Sequence, residues 1–398
     1  MRLLVVVDYF DDPPVIGSTV IAYHWVRVLH RRGHAVDLVC ARQDWDARWA
    51  PFYREHGLGR PALPGVPWRG RVAQLLASLS AWVPPSVAHV RARALASWLA
   101  PRGKADHDAA VVIGPALLPL AEALREACPT VFVPVDAISM VLESRRPRGV
   151  RRPSDLRWAV EARMWRRLER RRFPRLDAVV FVADADARAA TRGWPEAARR
   201  RVHVIPNGVD ADHFRPMSAP TRPAGLVFTG NLWSADSVLG ARWFVDAVLP
   251  RIADAVPGVT LRMVGRDPAP ALRALARRDP RVEIHANVPD LRPYLDEAAV
   301  YVCPLVSGGG VKNRLLEALA MGKATVATTA CGAALGLESG RHLLLADAPA
   351  DFAAAVVRLL REPEARAALG AAGRAIVLDR FGWDAGVERL ERIIDGLG

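Results

Sequence analysis

Ser307, Gly308, Gly309 and Gly310 lie between the apolar run AVYVCPL (299–305) and a helical pattern, with Lys312 and Glu317 close behind. Backbone N–H groups in such a loop approach an anion closely. The start of a helix adds partial positive charge, and Lys312 adds a full one. A pyrophosphate suits that description, and so does a glycine turn that only starts a core helix; the triplet alone does not separate the two. GGGVKNR lacks the Gly-Lys-Ser/Thr ending of a Walker A loop, so ATP-dependent phosphoryl transfer is not implied. Glu317 sits among Leu315, Leu316, Ala318, Leu319, Ala320 and Met321. A carboxylate there needs hydrogen-bond donors or suffers desolvation. Ribose or sugar hydroxyls would serve it; a solvated helix-surface glutamate is the alternative.

These residues need elements to position them. LLVVV (3–7), AVDLVCA (35–41), AAVVIG (109–114), TVFVPV (130–135), AVVFVA (178–183) and RVHVIP (201–206) are apolar runs, most of them separated by helical segments. Thr19–Arg32 reads as a helix with Ser18 as its N-cap and Gly33 as its stop. The segment PNGVDADHFRPMSAPTRPAG (206–225) has linker composition. A second series follows: LVFTG (226–230), TLRMVG (260–265), VEIHA (282–286), AVYVCPL and ATVATT (324–329), with helices between. A long helix covers about 349–360, and the last segment is helical. Alternating strands and helices predict two doubly wound α/β domains. The expected domains are 1–205, a linker at 206–225, and 226–378, with a terminal helix at 379–398 docking back on the first. Ligands bind beyond the carboxyl ends of such strands, so two domains facing across a cleft suit an enzyme that joins two substrates.

A length of 398 residues agrees with two cores. The charge is lopsided. Residues 1–205 hold 33 Lys+Arg against 20 Asp+Glu, the whole excess of +13, while 206–398 hold 22 of each. The densest clusters are RRPRGVRR (145–152) and RMWRRLERRRFPR (163–175). They paint solvated faces or attract an anionic lipid surface or acceptor. Nucleic acid is not expected, because no recognition motif or interleaved aromatic platform is visible. Cys40, Cys128, Cys303 and Cys331 show no zinc or redox spacing and read as buried small residues of a reducing compartment. MRLLVVVDYFDD is a core strand rather than a signal peptide. The stretch 109–121 contains two prolines and is too short to span a bilayer. The expected place is the cytoplasm, with peripheral contact to the inner membrane face.

Together the opening strand–Gly loop–helix–strand, IPNGVDADHF, FTGN, VG (264–265), PLVSGGGVKNRLLEALAMGKATVAT and the final FGWD helix resemble the retaining glycosyltransferases of family 4, which have the GT-B fold. The resemblance covers nearly the whole chain. The block GGGVKNRLLEALAMGK is similar to that of bacterial sugar transferases of exopolysaccharide and cell-envelope pathways. The resemblance implies transfer of a sugar from a nucleotide-diphosphate donor to a glycan or lipid-linked acceptor, with retention of configuration. A diphosphate oxygen would act as base and no metal or other cofactor would be needed. It places Glu317 at the ribose-binding end of the E-x7-E motif. The first Glu of that motif falls on Gly309, which leaves the sugar to the backbone of Gly308–Gly310 and to Ser307. Asn231 replaces an Arg that usually meets the diphosphate, and Asp236 or Ser237 falls near the usual Lys. Lys312 and then Arg266 are the candidates for the missing charge. Gly17 matches the loop glycine that approaches the diphosphate. In VFVPVDAISM, Asp136 remains from a His-Asp pair while Val135 takes the His position, so Asp136 is a contact to acceptor or donor sugar, or a turn residue. Asp136 and Lys312 are the candidate catalytic groups; Glu161 and Glu169 are expected to form ion pairs within the arginine-rich helix. None of the ten histidines forms an HExxH pair. A same-fold nucleotide-sugar epimerase or hydrolase, and a non-catalytic nucleotide-sugar-binding scaffold, are the competing functions.

Overall fold

The computed structural model describes residues 1–8, 17–40, 78, 81–88, 107–144, 153–305, 313–332 and 335–397. It divides into two units, Met1–Asn207 with Trp383–Gly398, and Gly208–Gly382.

The first unit is built on β1 (Arg2–Val7), β2 (Ala35–Cys40), β3 (Ala109–Ile113), β4 (Thr130–Val135), β5 (Ala178–Phe181) and β6 (Val202–Val204). All neighbours are parallel, in the order β2-β1-β3-β4-β5-β6. Leu4, Val6, Val112 and Phe132 enter the core on one face, and Leu3, Val5, Val111 and Val133 the core on the other. A strand buried on both faces has no polar side to alternate with, so it reads as an unbroken apolar run.

Helix α1 (Gly17–Arg31) lays Ile21, Trp25 and Leu29 on the second face. It starts before the expected Thr19, so Ser18 lies inside its first turn. Its end is a Schellman turn. Gly33 at φ 85° donates to His30 O (2.9 Å), and His34 N–H donates to Leu29 O (3.1 Å). Three more helices matter below: α2 (Ile138–Ser144), α3 (Pro153–Arg171) and α4 (Asp184–Ala190).

The second unit holds β7 (Arg222–Asn231), β8 (Thr260–Arg266), β9 (Val282–Ala286), β10 (Ala298–Cys303), β11 (Thr325–Ala327) and β12 (Leu344–Leu345). They are parallel in the order β12-β11-β10-β7-β8-β9. Chain direction across this sheet reverses between β7 and β10, the switch point at which a doubly wound sheet opens a crevice. Helix α5 (Ala235–Trp243) follows β7, and α6 (Asn313–Ala320) follows β10 after residues 306–312. Later come α7 (Pro349–Arg361) and α8 (Pro363–Arg380).

The chain then returns to the first unit. Helix α9 (Trp383–Asp395) buries Trp383, Val387, Leu390 and Ile394 in the same core as α1. Arg31–Asp384 (2.5 Å), Arg32–Glu391 (2.9 Å) and His34–Glu391 (2.7 Å) flank the contact. Exposed pairs contribute little, so the apolar stripe holds this helix. Among the described residues no helix is long and apolar enough to cross a membrane.

Candidate functional site

At the switch point of the second sheet, β7 ends in Gly230 and Asn231, β8 beside it ends in Gly265 and Arg266, and α6 carries Glu317. Ser307, Gly308, Gly309, Gly310 and Lys312 fall outside the described residues. Leu315, Leu316, Ala318, Leu319 and Ala320 are buried, which anchors α6 and leaves Glu317 half-buried. Burial pushes the Glu317 carboxyl up to about 7, and the nearby Arg314 guanidinium pulls the other way. No hydrogen bond from a described residue offsets the lost hydration. Glu317 is thus half-buried, between the fully solvated helix-surface glutamate and a core carboxylate.

Arg314, one helical turn before Glu317, was not singled out by the sequence. Its guanidinium lies against the Cα of Gly230, where an added Cβ would come within 2.3 Å of Arg314 Cζ. It stacks 5.5 Å from the centroid of Phe228 and donates from Nη1 to Ser237 Oγ at 3.1 Å. Ser237 Oγ also accepts from Ser234 Oγ (2.8 Å), and Ser234, the N-cap of α5, accepts from Ser237 N–H at 3.2 Å. Gly265 makes this packing possible in turn, because its Cβ would fall 1.7 Å from Gly230 O. Asn231 is half-buried and Arg266 exposed, paired in register at the strand ends. Cys303 Sγ and Cys331 Sγ, far apart in sequence, lie 3.4 Å apart as free buried thiols.

On the first sheet, Asp136 follows β4 and is half-buried. Val135 before it has φ 73°, and Asp136 N–H donates to Pro134 O at 3.0 Å. This is a left-handed γ-turn at a β-branched residue, a strained arrangement that persists only when its surroundings hold it. Two buried carboxylates do so. Asp186 on α4 accepts from Ala137 N–H at 2.8 Å. Glu169 on α3 accepts from Ser139 N–H at 3.0 Å and from Ser139 Oγ at 2.5 Å. Glu169 is 2% exposed, and burial raises its pKa while the Ser139 bonds oppose the rise. The ion pair expected for Glu169 is thus replaced by hydrogen bonds to α2. The helix is arginine-rich on its outer face, but position 169 belongs to the buried face with Trp165 and Leu168. Asp186 belongs to an Asp-x-Asp pair with Asp184, and its bond to the backbone gives it a structural task. Gly17 opens α1.

Comparison with known proteins adds to this geometry. The family Glycosyltransferase Family 4 matches residues 15–213, and Glycosyl transferases group 1 matches residues 223–362. A GDP-mannose-dependent monoacylated alpha-(1-6)-phosphatidylinositol monomannoside mannosyltransferase of Corynebacterium glutamicum is 29% identical over 214 residues, covering 48% of this chain and 55% of the relative. The match thus spans about half the length of that relative. Anabaena HepE, solved in complex with UDP, shares the fold at TM-score 0.66 and 16% identity over 100% of both chains. Sucrose-phosphate synthase from Thermosynechococcus elongatus does so at TM-score 0.70 and 17% identity, over 100% of this chain and 99% of that one. The two parallel six-stranded sheets and these matches along both units show that the chain belongs to glycosyltransferase family 4, with the GT-B fold.

Proposed function

We propose that the protein transfers a sugar, with retention of configuration, from a nucleotide-diphosphate sugar to a glycan or lipid-linked acceptor of the cell envelope. The observation that carries this reading is Glu317. It is a half-buried carboxylate at the switch point of a doubly wound sheet, with no donor from the described residues and a pKa near 7. Two ribose hydroxyls would give it the hydrogen bonds that the described residues do not. Ser307, Gly308, Gly309, Gly310 and Lys312 are the diphosphate contacts in this reading, with Asn231 and Arg266 at the ends of β7 and β8 and Gly17 as a further contact. In the transfer, the bond from the anomeric carbon to the diphosphate breaks and a bond to the acceptor oxygen forms on the same face. The acceptor proton passes to a diphosphate oxygen, and the nucleoside diphosphate leaves. Asp136 accepts a hydrogen bond from a sugar or acceptor hydroxyl, and the γ-turn at Val135 aims it.

The named relatives give the donors to try first: GDP-mannose for the corynebacterial enzyme, and UDP-glucose for HepE, which was solved with it. A thermal-shift panel of UDP-, GDP- and ADP-sugars tests the reading. One donor should raise Tm in proportion to the logarithm of its concentration. Glu317→Ala should reduce the rise at a given concentration. If no nucleotide sugar shifts the wild-type protein, the reading fails; if the shift survives undiminished in Glu317→Ala, the site is misplaced.

A lipid-linked acceptor is supported by α3. Its outward face presents Leu156, 58% exposed, in line with exposed Arg163, Arg167 and Arg170. An apolar side chain followed by a row of arginines suits the boundary of an anionic bilayer. The cluster at 145–152 lies outside the described residues.

A further inference from the structure

The guanidinium of Arg314 is an unusual group to leave half-buried. Among the described residues it forms no ion pair, and its polar partner is one neutral hydroxyl, Ser237 Oγ. Phe228 covers it on one side. A cation held this way has exchanged water for one hydroxyl, an aromatic face and the longer-range attraction of Glu317, with no direct ion pair among the described residues, so an anion beside it would be favoured. The surroundings are shaped to keep it there. Gly230 lacks the side chain that would push it out, and Gly265 lacks the one that would displace the Gly230 backbone behind it. Ser234 and Ser237, in the first turn of α5, hold the hydroxyl that orients it.

Resting on the donor-site reading above, we propose that Arg314 is the cation that grips the donor diphosphate, reaching the edge of the sheet from α6 rather than from the strand ends. It lies on the same helix as Glu317, three residues before it, so one rigid element presents a carboxylate to the ribose and a guanidinium to the phosphates. Side chains three apart on a helix share a face, which sets the two groups side by side as ribose and α-phosphate are in a nucleotide. A planar guanidinium with free N–H groups pairs with phosphate oxygens through a two-pronged geometry that an ammonium lacks. It would also stabilise the charge that grows on the diphosphate as the anomeric bond breaks. Asn231 and Arg266, the strand-end candidates, are then secondary contacts.

The test compares full-length wild-type protein with Arg314→Gln and Arg314→Lys by calorimetric titration of GDP, UDP and the two nucleosides guanosine and uridine. Arg314→Gln should weaken the preferred nucleoside diphosphate roughly 10- to 100-fold, the range for a charge-assisted hydrogen bond. Affinity for the matching nucleoside should change less than twofold. Arg314→Lys should fall between, because it keeps the charge and loses the fork; it also serves if Arg314→Gln does not fold. Adding Asn231→Arg to Arg314→Gln should recover part of the loss by returning a cation to the strand next to Gly230. The inference is overturned if wild type binds a nucleoside diphosphate and the Arg314 variants bind it within twofold. It is also overturned if nucleoside and nucleoside diphosphate weaken equally. If wild type binds neither diphosphate, the donor-site reading itself falls.

Discussion

At the scale of single residues, Glu317 sets a pH dependence whose sign follows from its environment. Its folded pKa, about 7, stands above the unfolded carboxyl value of 4.5. The folded state therefore holds this proton longer than the unfolded state. The group costs nothing below about pH 4.5, lowers stability as pH rises from there to about 7, and has a constant effect above. Glu317→Gln removes this slope. In the absence of ligand it should be more stable than wild type at pH 8, by roughly 1–3 kcal/mol, and little different at pH 4.5. Thermal melts at the two pH values check this; equal differences at both would place the titration elsewhere. Nucleotide binding should show the opposite trend, because ribose hydroxyls donate to the charged form. Affinity should rise with pH through about 7 in wild type and stay level in Glu317→Gln. Part of this was legible in the chain, since LLEALAM shows a carboxylate among apolar neighbours. Arg314 was not legible. Its importance depends on Gly230 and Gly265, which sequence spacing does not place beside it.

At the scale of elements, glycines at the ends of β7 and β8 keep the candidate donor site open. Gly230→Ala drives a Cβ into a side chain, whereas Gly265→Ala drives one into the backbone of the neighbouring strand. A side chain moves and a paired strand does not. Gly230→Ala should therefore cost nucleotide affinity, and its fall in Tm, to which the φ of 137° at Gly230 adds strain, should be smaller than that of Gly265→Ala. Gly265→Ala should destabilise the protein by roughly 2 kcal/mol or more, in the range of overpacked cores. Denaturant melts and titrations of the two variants separate these effects. The clamp on the Val135 turn gives a second case. Glu169→Gln keeps an acceptor for Ser139, while Glu169→Ala strands two donors and opens a gap, costing roughly 2–4 kcal/mol. The strands were readable as apolar runs because parallel sheets are buried on both faces. Strand β12 was not readable, because two residues carry no periodicity. The burial of Glu169 was hidden by the arginines around it, which lie on the other face of α3.

At the scale of the whole molecule, two long-range features bear on stability and on partners. The final helix packs on the first sheet through Trp383, Val387, Leu390 and Ile394. A chain ending before Trp383 should expose that core, lose cooperative unfolding of the first unit and bind a hydrophobic dye. The excess positive charge lies wholly before residue 206. Sedimentation with phosphatidylserine vesicles should therefore weaken steeply with salt, and the triple variant Arg163→Gln, Arg167→Gln, Arg170→Gln should lose most of it. Binding that ignores salt and these arginines would remove the membrane from the account. Which sugar, base and acceptor are used was not legible, because residues 307–310 are a serine and three glycines, with no carboxylate to mark the sugar.

Everything proposed for the donor site depends on Glu317 meeting the ribose of a nucleotide donor. The most direct measurement pairs a change in the protein with a change in the ligand. The nucleoside diphosphate that stabilises the protein is titrated beside its 2′,3′-dideoxy form, into wild type and into Glu317→Ala. Losing the ribose hydroxyls should weaken binding to wild type roughly tenfold or more and leave binding to Glu317→Ala unchanged. Equal penalties in the two proteins would contradict it.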